Sequence, residues 1–150
     1  MITVAKNAGF CFGVKRAVDT LLQTIQTKAK TEQIYTLGPL IHNTVFNEEM
    51  QSLGVMTISQ EEIDELAKKA SEKTPITVII RAHGIPVDIQ QKLSTLSEEN
   101  EFFKFIDCTC PYVKKIHKIA QNHSSEDNVL LVFGKQDHPE VIGILSYFDF

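Results

Sequence analysis

The sequence has no tryptophan, only three cysteines, and no long apolar run. An odd number of cysteines without an apolar leader segment makes a disulfide framework a poor interpretation and favours metal binding or redox chemistry. The longest apolar run covers residues 129–133, whereas a membrane helix needs about 20 residues. The net charge is −4 and the basic residues are scattered, so we expect neither nucleic acid nor a membrane surface as a partner. These absences predict a cytoplasmic globular protein.

Short apolar runs alternate with helical patterns along the chain, which is typical of an α/β fold with a mainly parallel sheet. The clearest helical stripe covers residues 14–29, where apolar residues recur at the spacing of one buried helix face. A further helix is expected on the solvent side over residues 61–70. The expected strands are residues 2–5, 34–37, 76–80, 102–106 and 129–133.

Two short patterns recur in the same order, which indicates an internal repeat. The pattern C-x-x-V-K-[R/K] begins at Cys11 and again at Cys110, 99 positions later. An apolar run followed by G-x-x-x-H ends at His42 and again at His138, 96 positions later. We therefore expect two α/β domains built from repeated strand-helix units, the second one incomplete. Their expected ranges are residues 1–98 and residues 99–150.

Five reactive side chains follow a predicted strand and precede a predicted helix. In open α/β sheets ligands bind beyond the carboxyl ends of the strands, where helix N-termini offer unpaired N–H groups and partial positive charge. That setting suits a thiolate or a phosphate group. Helix-start signals support the placement, with Asn43 as an N-cap and Pro86, Pro111 and Pro139 in first helical turns. The five residues are Cys11, His42, His83, Cys110 and His138.

The remaining candidates have simpler interpretations. Cys108 has no counterpart in the first repeat and is expected to be an inert buried residue. His117 and His123 lie within or at the end of a helix, so packing or surface roles are expected. Lys114, Lys115 and Lys118 are expected to form the solvated face of that helix. Glu140, two residues after His138, fits helix-dipole compensation and an acid–base group equally well.

Two cysteines alone do not complete an ordinary cluster or zinc site. If each repeat contributes one cysteine at its first helix, a third repeat would contribute a third thiolate. Three thiolates around a pseudo-threefold axis would leave one coordination position open for substrate, which is a catalytic arrangement.

Five stretches in this order closely resemble the 4-hydroxy-3-methylbut-2-enyl diphosphate reductase family, also called IspH or LytB. They are AGFCFGVKRAV, GPLIHN, RAHGIP, TCPYVKKIH and HPEVIG. The resemblance covers essentially the whole chain. It implies three α/β domains in a trefoil around a central 4Fe-4S cluster, each domain supplying one cysteine, in a protein of roughly twice this length. This chain then corresponds to the first domain and part of the second.

The resemblance also implies roles for individual residues. Cys11 and Cys110 match two of the three cluster ligands, and the third is expected outside this chain. His42, His83 and His138 match the histidines that bind the diphosphate, and Glu140 matches the proton donor. The implied reaction is the last step of the non-mevalonate isoprenoid pathway. In it the substrate's allylic hydroxyl is removed reductively to give isopentenyl and dimethylallyl diphosphate, with electrons from a ferredoxin or flavodoxin.

Two alternatives stay open at this point. The chain as it stands could be inactive, since the third thiolate and other diphosphate contacts are missing from it. A different class of function is a Cys/His metal-binding or redox module, in which Cys108 would join Cys11 and Cys110.

Overall fold

The computed structural model describes residues 2–5 and 8–148. Residues 1, 6–7 and 149–150, which the expected domain ranges include, lie outside the described residues. The six helices of the described part are α1 (Phe12–Thr27), α2 (Thr44–Ser52), α3 (Ile63–Lys69), α4 (Val87–Glu99), α5 (Pro111–Asn122) and α6 (Pro139–Ser146). Its four strands are β1 (Gln33–Leu37), β2 (Val55–Ile58), β3 (Ile76–Ile80) and β4 (Phe103–Asp107).

The four strands form one parallel sheet in the order β2-β1-β3-β4, which confirms the α/β prediction. Ile34 in β1 lies between Val55 in β2 and Thr77 in β3. The chain passes from β1 outward to β2, then returns across β1 to β3 and continues to β4. The connection after β1 therefore runs toward one edge of the sheet, and the connection after β3 runs toward the other edge. This divergence opens a crevice at the carboxyl ends of β1 and β3.

Helices cover both faces of the sheet because successive strand residues point to opposite sides. On one face Ile34 and Ile79 pack against Leu21 of α1. On the other face Tyr35 and Val78 belong to a second apolar cluster. That cluster also contains Ile63 and Leu66 of α3, Leu93 of α4, and Phe103 of β4. Burial on both faces explains why the central strands are continuous apolar runs.

Three expected strands, residues 34–37, 76–80 and 102–106, are confirmed as β1, β3 and β4. The expected strands at residues 2–5 and 129–133 are wrong, because neither segment has strand structure. Most of their apolar side chains are exposed, Ile2 and Phe133 at 96% each. Within the described residues neither segment has a neighbouring strand to complete its backbone hydrogen bonds. Strand β2 was not predicted. It is only four residues long, and its two central residues are exposed, so its sequence does not form a long apolar run.

The predicted helix at residues 14–29 is present as α1, which begins two residues earlier because Cys11 occupies the N-cap position. The helix predicted at residues 61–70 is present as a short 3₁₀ turn followed by α3. Helix α3 is amphipathic: its outer face is exposed to solvent, as expected, whereas Ile63, Leu66 and Ala67 on its inner face are buried. No helix among the described residues is both long and apolar enough to cross a membrane.

The C-terminal helix α6 packs against the sheet-covering helices. The Ser146 hydroxyl accepts a hydrogen bond from the Val87 backbone N–H at 3.0 Å, and the Tyr147 hydroxyl donates to Gln90 at 3.0 Å. Strand β4 lies beyond the predicted boundary after residue 98 and pairs with β3. The division into two domains itself stays a prediction.

Candidate functional site

Three histidines that are far apart in the sequence converge at the carboxyl edge of the sheet. The ring centroids of His42 and His83 are 4.9 Å apart. The ring of His138 lies 6.4 Å from that of His42 and 5.9 Å from that of His83. The structure therefore brings together the three predicted ligand-binding histidines in one cluster.

Local structure places His42 at the mouth of the crevice. Gly38 leaves β1 with a φ of +70°, a left-handed conformation that glycine adopts without strain. The Asn47 side chain donates to the Ile41 carbonyl at 3.0 Å, which fixes the backbone next to His42. Asn43 caps α2, since its side-chain oxygen accepts from the Phe46 N–H at 3.0 Å. The predicted N-cap is confirmed, and His42 precedes a helix N-terminus directly.

His83 lies in the turn that follows β3 and is partly buried. Its Nδ1 atom is fully buried without a hydrogen-bond partner among the described residues. Burial is the largest cause that lowers the pKa of His83 to about 4, and the nearby positive charges of His42, Arg81 and His138 lower it further. His83 is therefore neutral at neutral pH and retains unused hydrogen-bonding capacity.

His138 is the N-cap residue of α6 and uses its own imidazole as the cap. Its Nδ1 accepts a hydrogen bond from the Glu140 backbone N–H at 3.2 Å. An accepting Nδ1 carries no proton, so in the neutral ring the proton resides on Nε2, which becomes a hydrogen-bond donor. The predicted Pro139 is confirmed in the first turn of α6. The segment before His138, residues 129–133, does not form the strand that the sequence predicted.

Arg81, the first residue of the stretch RAHGIP, is a basic residue of the site that was not among the predicted site residues. Its guanidinium packs so closely on Gly38 that a Cβ there would lie 2.7 Å from Nη1. Its Nε is buried without a hydrogen-bond partner in the described part of the chain, and burial lowers its pKa. The sequence did contain an indication of this role, since Arg81 directly follows a fully buried strand and residues at that position face the crevice.

Both predicted cluster cysteines occupy helix N-caps. Cys11 caps α1 and is exposed, whereas Cys110 caps α5 and is partly buried. The two helix starts are close together, since a Cβ on Gly13 would lie 2.5 Å from the Cys110 Sγ. The Arg16 guanidinium donates to the Thr109 carbonyl at 2.7 Å and joins the same two elements. The Cys110 backbone N–H donates to the Ala82 carbonyl at 2.9 Å, next to His83.

The thiols have the chemistry that an iron–sulfur cluster requires, because helix N-termini stabilise thiolates. The missing Cβ of Gly13 leaves room for the Cys110 sulfur beside α1. Among residues 2–5 and 8–148, no three His, Cys, Asp or Glu side chains form a group that could hold a metal ion. Cys11 and Cys110 therefore fit as two ligands of a larger set.

Cys108 is a core residue, as predicted. Its side chain is 0% exposed and packs in the cluster that contains Leu21 and Ile79. Burial raises the pKa of its thiol, which disfavours the thiolate that metal binding requires. The redox module that would combine Cys108 with Cys11 and Cys110 is therefore disfavoured.

The other residues assigned to packing or surface roles divide as follows. His117 is buried and His123 is exposed, in agreement with the prediction. Lys115 and Lys118 are exposed on α5. Lys114 is exposed as well, and its ammonium forms an ion pair with Asp107 at 2.5 Å. Pro86 occupies the N-cap of α4 and not the first helical turn.

Glu140 lies in the first turn of α6, two residues from His138, and is partly exposed. A carboxylate at this position is stabilised by the unpaired N–H groups of the helix start. The same position places it beside the histidine cluster. Both interpretations of Glu140 are therefore compatible with its location.

The fold and the site define an α/β protein that carries a histidine cluster and two cysteines at helix N-cap positions, at one edge of a parallel sheet. The chain belongs to the LytB family: residues 2–149 match the family model described as LytB protein. This agrees with the family that the sequence motifs resemble.

Curated relatives carry the name 4-hydroxy-3-methylbut-2-enyl diphosphate reductase. The protein of Clostridium tetani is 42% identical over 143 residues, which cover 95% of this chain and 21% of that protein. The protein of Aquifex aeolicus is 40% identical over 146 residues, which cover 97% of this chain and 45% of that protein. The chain thus spans less than half the length of these relatives.

Two solved structures share the fold. One is (E)-4-hydroxy-3-methyl-but-2-enyl diphosphate reductase, described as the terminal enzyme of the non-mevalonate pathway. It aligns with a TM-score of 0.72 at 37% identity, covering 97% of this chain and 46% of that one. The other is the corresponding reductase of Plasmodium falciparum, with a TM-score of 0.76 at 26% identity, covering 95% and 40%.

Proposed function

We propose that this chain forms part of a 4-hydroxy-3-methylbut-2-enyl diphosphate reductase, in which its histidine cluster binds the diphosphate of the substrate. The observation that carries the proposal is the convergence of His42, His83 and His138, with ring centroids 4.9 to 6.4 Å apart. The cluster lies at the N-termini of α2 and α6, where unpaired N–H groups favour an anion. The names of the relatives support the same substrate class.

Each basic residue has a distinct part in diphosphate binding. The Nε2–H of His138 donates a hydrogen bond to a phosphate oxygen, because its Nδ1 is engaged by the helix N-terminus. His83 supplies the unused hydrogen-bonding capacity of a neutral ring and becomes easier to protonate when an anion is bound. Arg81, packed on Gly38 behind the cluster, adds a permanent positive charge.

The proposed reaction removes the allylic hydroxyl group of the substrate as water, with uptake of two electrons and two protons. Glu140 holds a proton beside the histidine cluster and delivers it to the leaving hydroxyl oxygen. Cys11 and Cys110 hold the iron–sulfur cluster together with a third cysteine, which the resemblance to the family implies outside this chain. When bound, that cluster supplies single electrons for the reduction.

Further parts of this proposal rest on the resemblance to the family. They are the two-domain division, the 4Fe-4S type of the cluster, a ferredoxin or flavodoxin as electron donor, a cytoplasmic location, and the products isopentenyl and dimethylallyl diphosphate. The isolated chain is proposed to be inactive, since two thiolates leave such a cluster incompletely held.

Calorimetric titration with inorganic pyrophosphate tests the diphosphate site. The chain is expected to bind pyrophosphate, and His42→Gln, His83→Gln and His138→Gln are each expected to weaken binding by about tenfold to a hundredfold, since one hydrogen bond to a charged group contributes roughly 1.5–3 kcal/mol. His123→Gln, on the exposed end of α5, is the matched control and leaves the affinity unchanged. Absence of pyrophosphate binding, or equal affinity in all four variants, contradicts the proposal.

A further inference from the structure

The buried His117 lies where three elements of the site meet. It is 5% exposed and belongs to α5, the helix that Cys110 caps. On one side it meets the turn that carries His83. On the other it meets α6, the helix that His138 begins. The His117 side chain therefore contacts both the turn that carries His83 and the helix that follows His138.

The imidazole of His117 occupies a narrow gap between two glycines. A Cβ on Gly84 would lie 2.9 Å from its Cε1 atom, and a Cβ on Gly143 would lie 3.4 Å from its Nε2 atom. The ring also stacks on Tyr147, with centroids 4.3 Å apart and an interplanar angle of 16°. A Cβ at Gly84 would displace the ring, whereas at Gly143 a Cβ would just touch it and only a side chain longer than that of alanine would push against it.

The polarity of the imidazole does not favour histidine at this position. The Nε2 atom is buried without a hydrogen-bond partner among the described residues, and burying such a group costs free energy that an apolar side chain would avoid. A flat five-membered ring, however, fits a gap lined by glycines, which a phenylalanine would overfill. The position therefore uses the shape of the imidazole.

The contact with His117 is one of those that hold helix α6 in place, together with the burial of Ile144. The segment between α5 and α6, residues 123–138, has no helix or strand and is mostly exposed. The hydrogen bonds that join α6 to α4 lie at the C-terminal end of α6, where Ser146 and Tyr147 bond to Val87 and Gln90. A helix moves as a unit, so a shift at Gly143 is transmitted to its first residues. Those residues include His138 and Glu140.

We propose that His117 is a positioning residue. By filling the gap between Gly84 and Gly143 and stacking on Tyr147, it sets the distance between His138 and His83. Its relevance to diphosphate binding rests on the proposed function, whereas the positional effect does not.

NMR spectroscopy of the isotope-labelled chain tests the positional effect without a ligand. In the wild-type chain, nuclear Overhauser contacts are expected between the rings of His83 and His138, whose centroids are 5.9 Å apart. In His117→Ala these contacts are lost and the His138 ring signals shift, while circular dichroism shows that the chain stays folded. His123→Ala, on the same helix, is the control and leaves both unchanged.

A second variant covers the case in which His117→Ala does not fold. Gly143→Leu keeps the histidine but drives a larger side chain against the ring, since a Cβ alone would already lie 3.4 Å from Nε2, and leucine is a good helix former. The same loss of His83–His138 contacts is expected. Unchanged contacts and unchanged His138 signals in a folded variant overturn the positioning role.

Pyrophosphate titration then separates this inference from the proposed function. If wild type binds pyrophosphate, His117→Ala is expected to weaken binding by about tenfold to a hundredfold, comparable with His138→Gln, since one charge-assisted hydrogen bond is lost. If wild type does not bind, the proposed function fails while the NMR result still decides the positioning role. Full pyrophosphate affinity in a variant that has lost the His83–His138 contacts overturns its relevance to binding.

Discussion

Gly13 of α1 and Cys110 of α5 are in direct contact, so closely that a Cβ on Gly13 would lie 2.5 Å from the Cys110 Sγ and 2.8 Å from its Cβ. These residues belong to the two copies of the repeated C-x-x-V-K pattern. The glycine therefore determines how near the second cysteine lies to the helix that the first one caps. Cys110 can lie this close to the start of helix α1 only because position 13 carries no side chain.

The variant Gly13→Ala tests the contact. Glycine to alanine within a helix ordinarily stabilises it by about 1 kcal/mol, but here the added methyl group overlaps Cys110 and is expected to destabilise the chain by about 1–3 kcal/mol. Urea unfolding measures this change. Lys15→Ala, exposed in the same helical turn, is the control and should change stability little. A Gly13→Ala chain that is more stable than wild type would mean that the two helix starts are not in contact.

The low pKa of His83 predicts how stability depends on pH. In the folded chain the pKa is about 4 because of burial and nearby positive charge, whereas an unfolded histidine titrates near about 6.5. Between these values the unfolded chain binds more protons, so the free energy of unfolding falls as the pH is lowered from about 6.5 to about 4. Above that window, and below it, this residue adds no further pH dependence.

Urea unfolding across that pH window provides the measurement. His83→Gln is expected to lose part of the decline, since its side chain cannot take up a proton. His123→Gln removes an exposed histidine and is expected to retain the wild-type profile. Identical profiles for wild type and His83→Gln would show that His83 titrates normally in the folded chain.

The cap of α2 is predicted to stabilise the part of the chain that presents His42. Asn43→Ala leaves the Phe46 N–H without its acceptor and is expected to cost about 1 kcal/mol in the free energy of unfolding. Asn43→Asp keeps a capping oxygen and is the matched control. Thermal and urea unfolding of the three chains measure the difference. Equal losses in both variants would point to a role of the amide group other than capping.

Alkylation is expected to distinguish the three cysteines. Cys11 is exposed, Cys110 is partly buried and Cys108 is fully buried. Iodoacetamide should therefore modify Cys11 fastest and Cys110 more slowly, and should reach Cys108 only after unfolding. Mass spectrometry of the native and urea-unfolded chain gives the order. Rapid native modification of Cys108 would reopen the redox-module alternative.

Anaerobic reconstitution with iron and sulfide extends this comparison to the ligand assignment. Any iron that the chain retains is expected to fall in Cys11→Ser and Cys110→Ser, since each removes one thiolate, and to persist in Cys108→Ser. Iron content and absorption spectra provide the measurement. Retention that depends on Cys108 but not on Cys110 would show that the assigned ligands are wrong.

Helix starts were predictable because capping depends only on residues next to each other. Asn43 at α2, Pro111 at α5 and Pro139 at α6 all act where the sequence placed them. Strands were less predictable because a strand needs a partner. The run at residues 129–133 has strand composition but no neighbour among the described residues. Strand β2, with Met56 and Thr57 exposed, has a neighbour but no apolar run.

The sequence by itself determined the α/β class, the repeated cysteine and histidine positions, and the family, because composition, periodicity and motifs are properties of the linear chain. Only the tertiary structure decided that β1 and β3 are adjacent and that His42, His83 and His138 therefore meet. It alone revealed Arg81 behind the cluster and His117 between Gly84 and Gly143. Strand order and close packing join residues that are distant in the sequence, so no local pattern encodes these contacts.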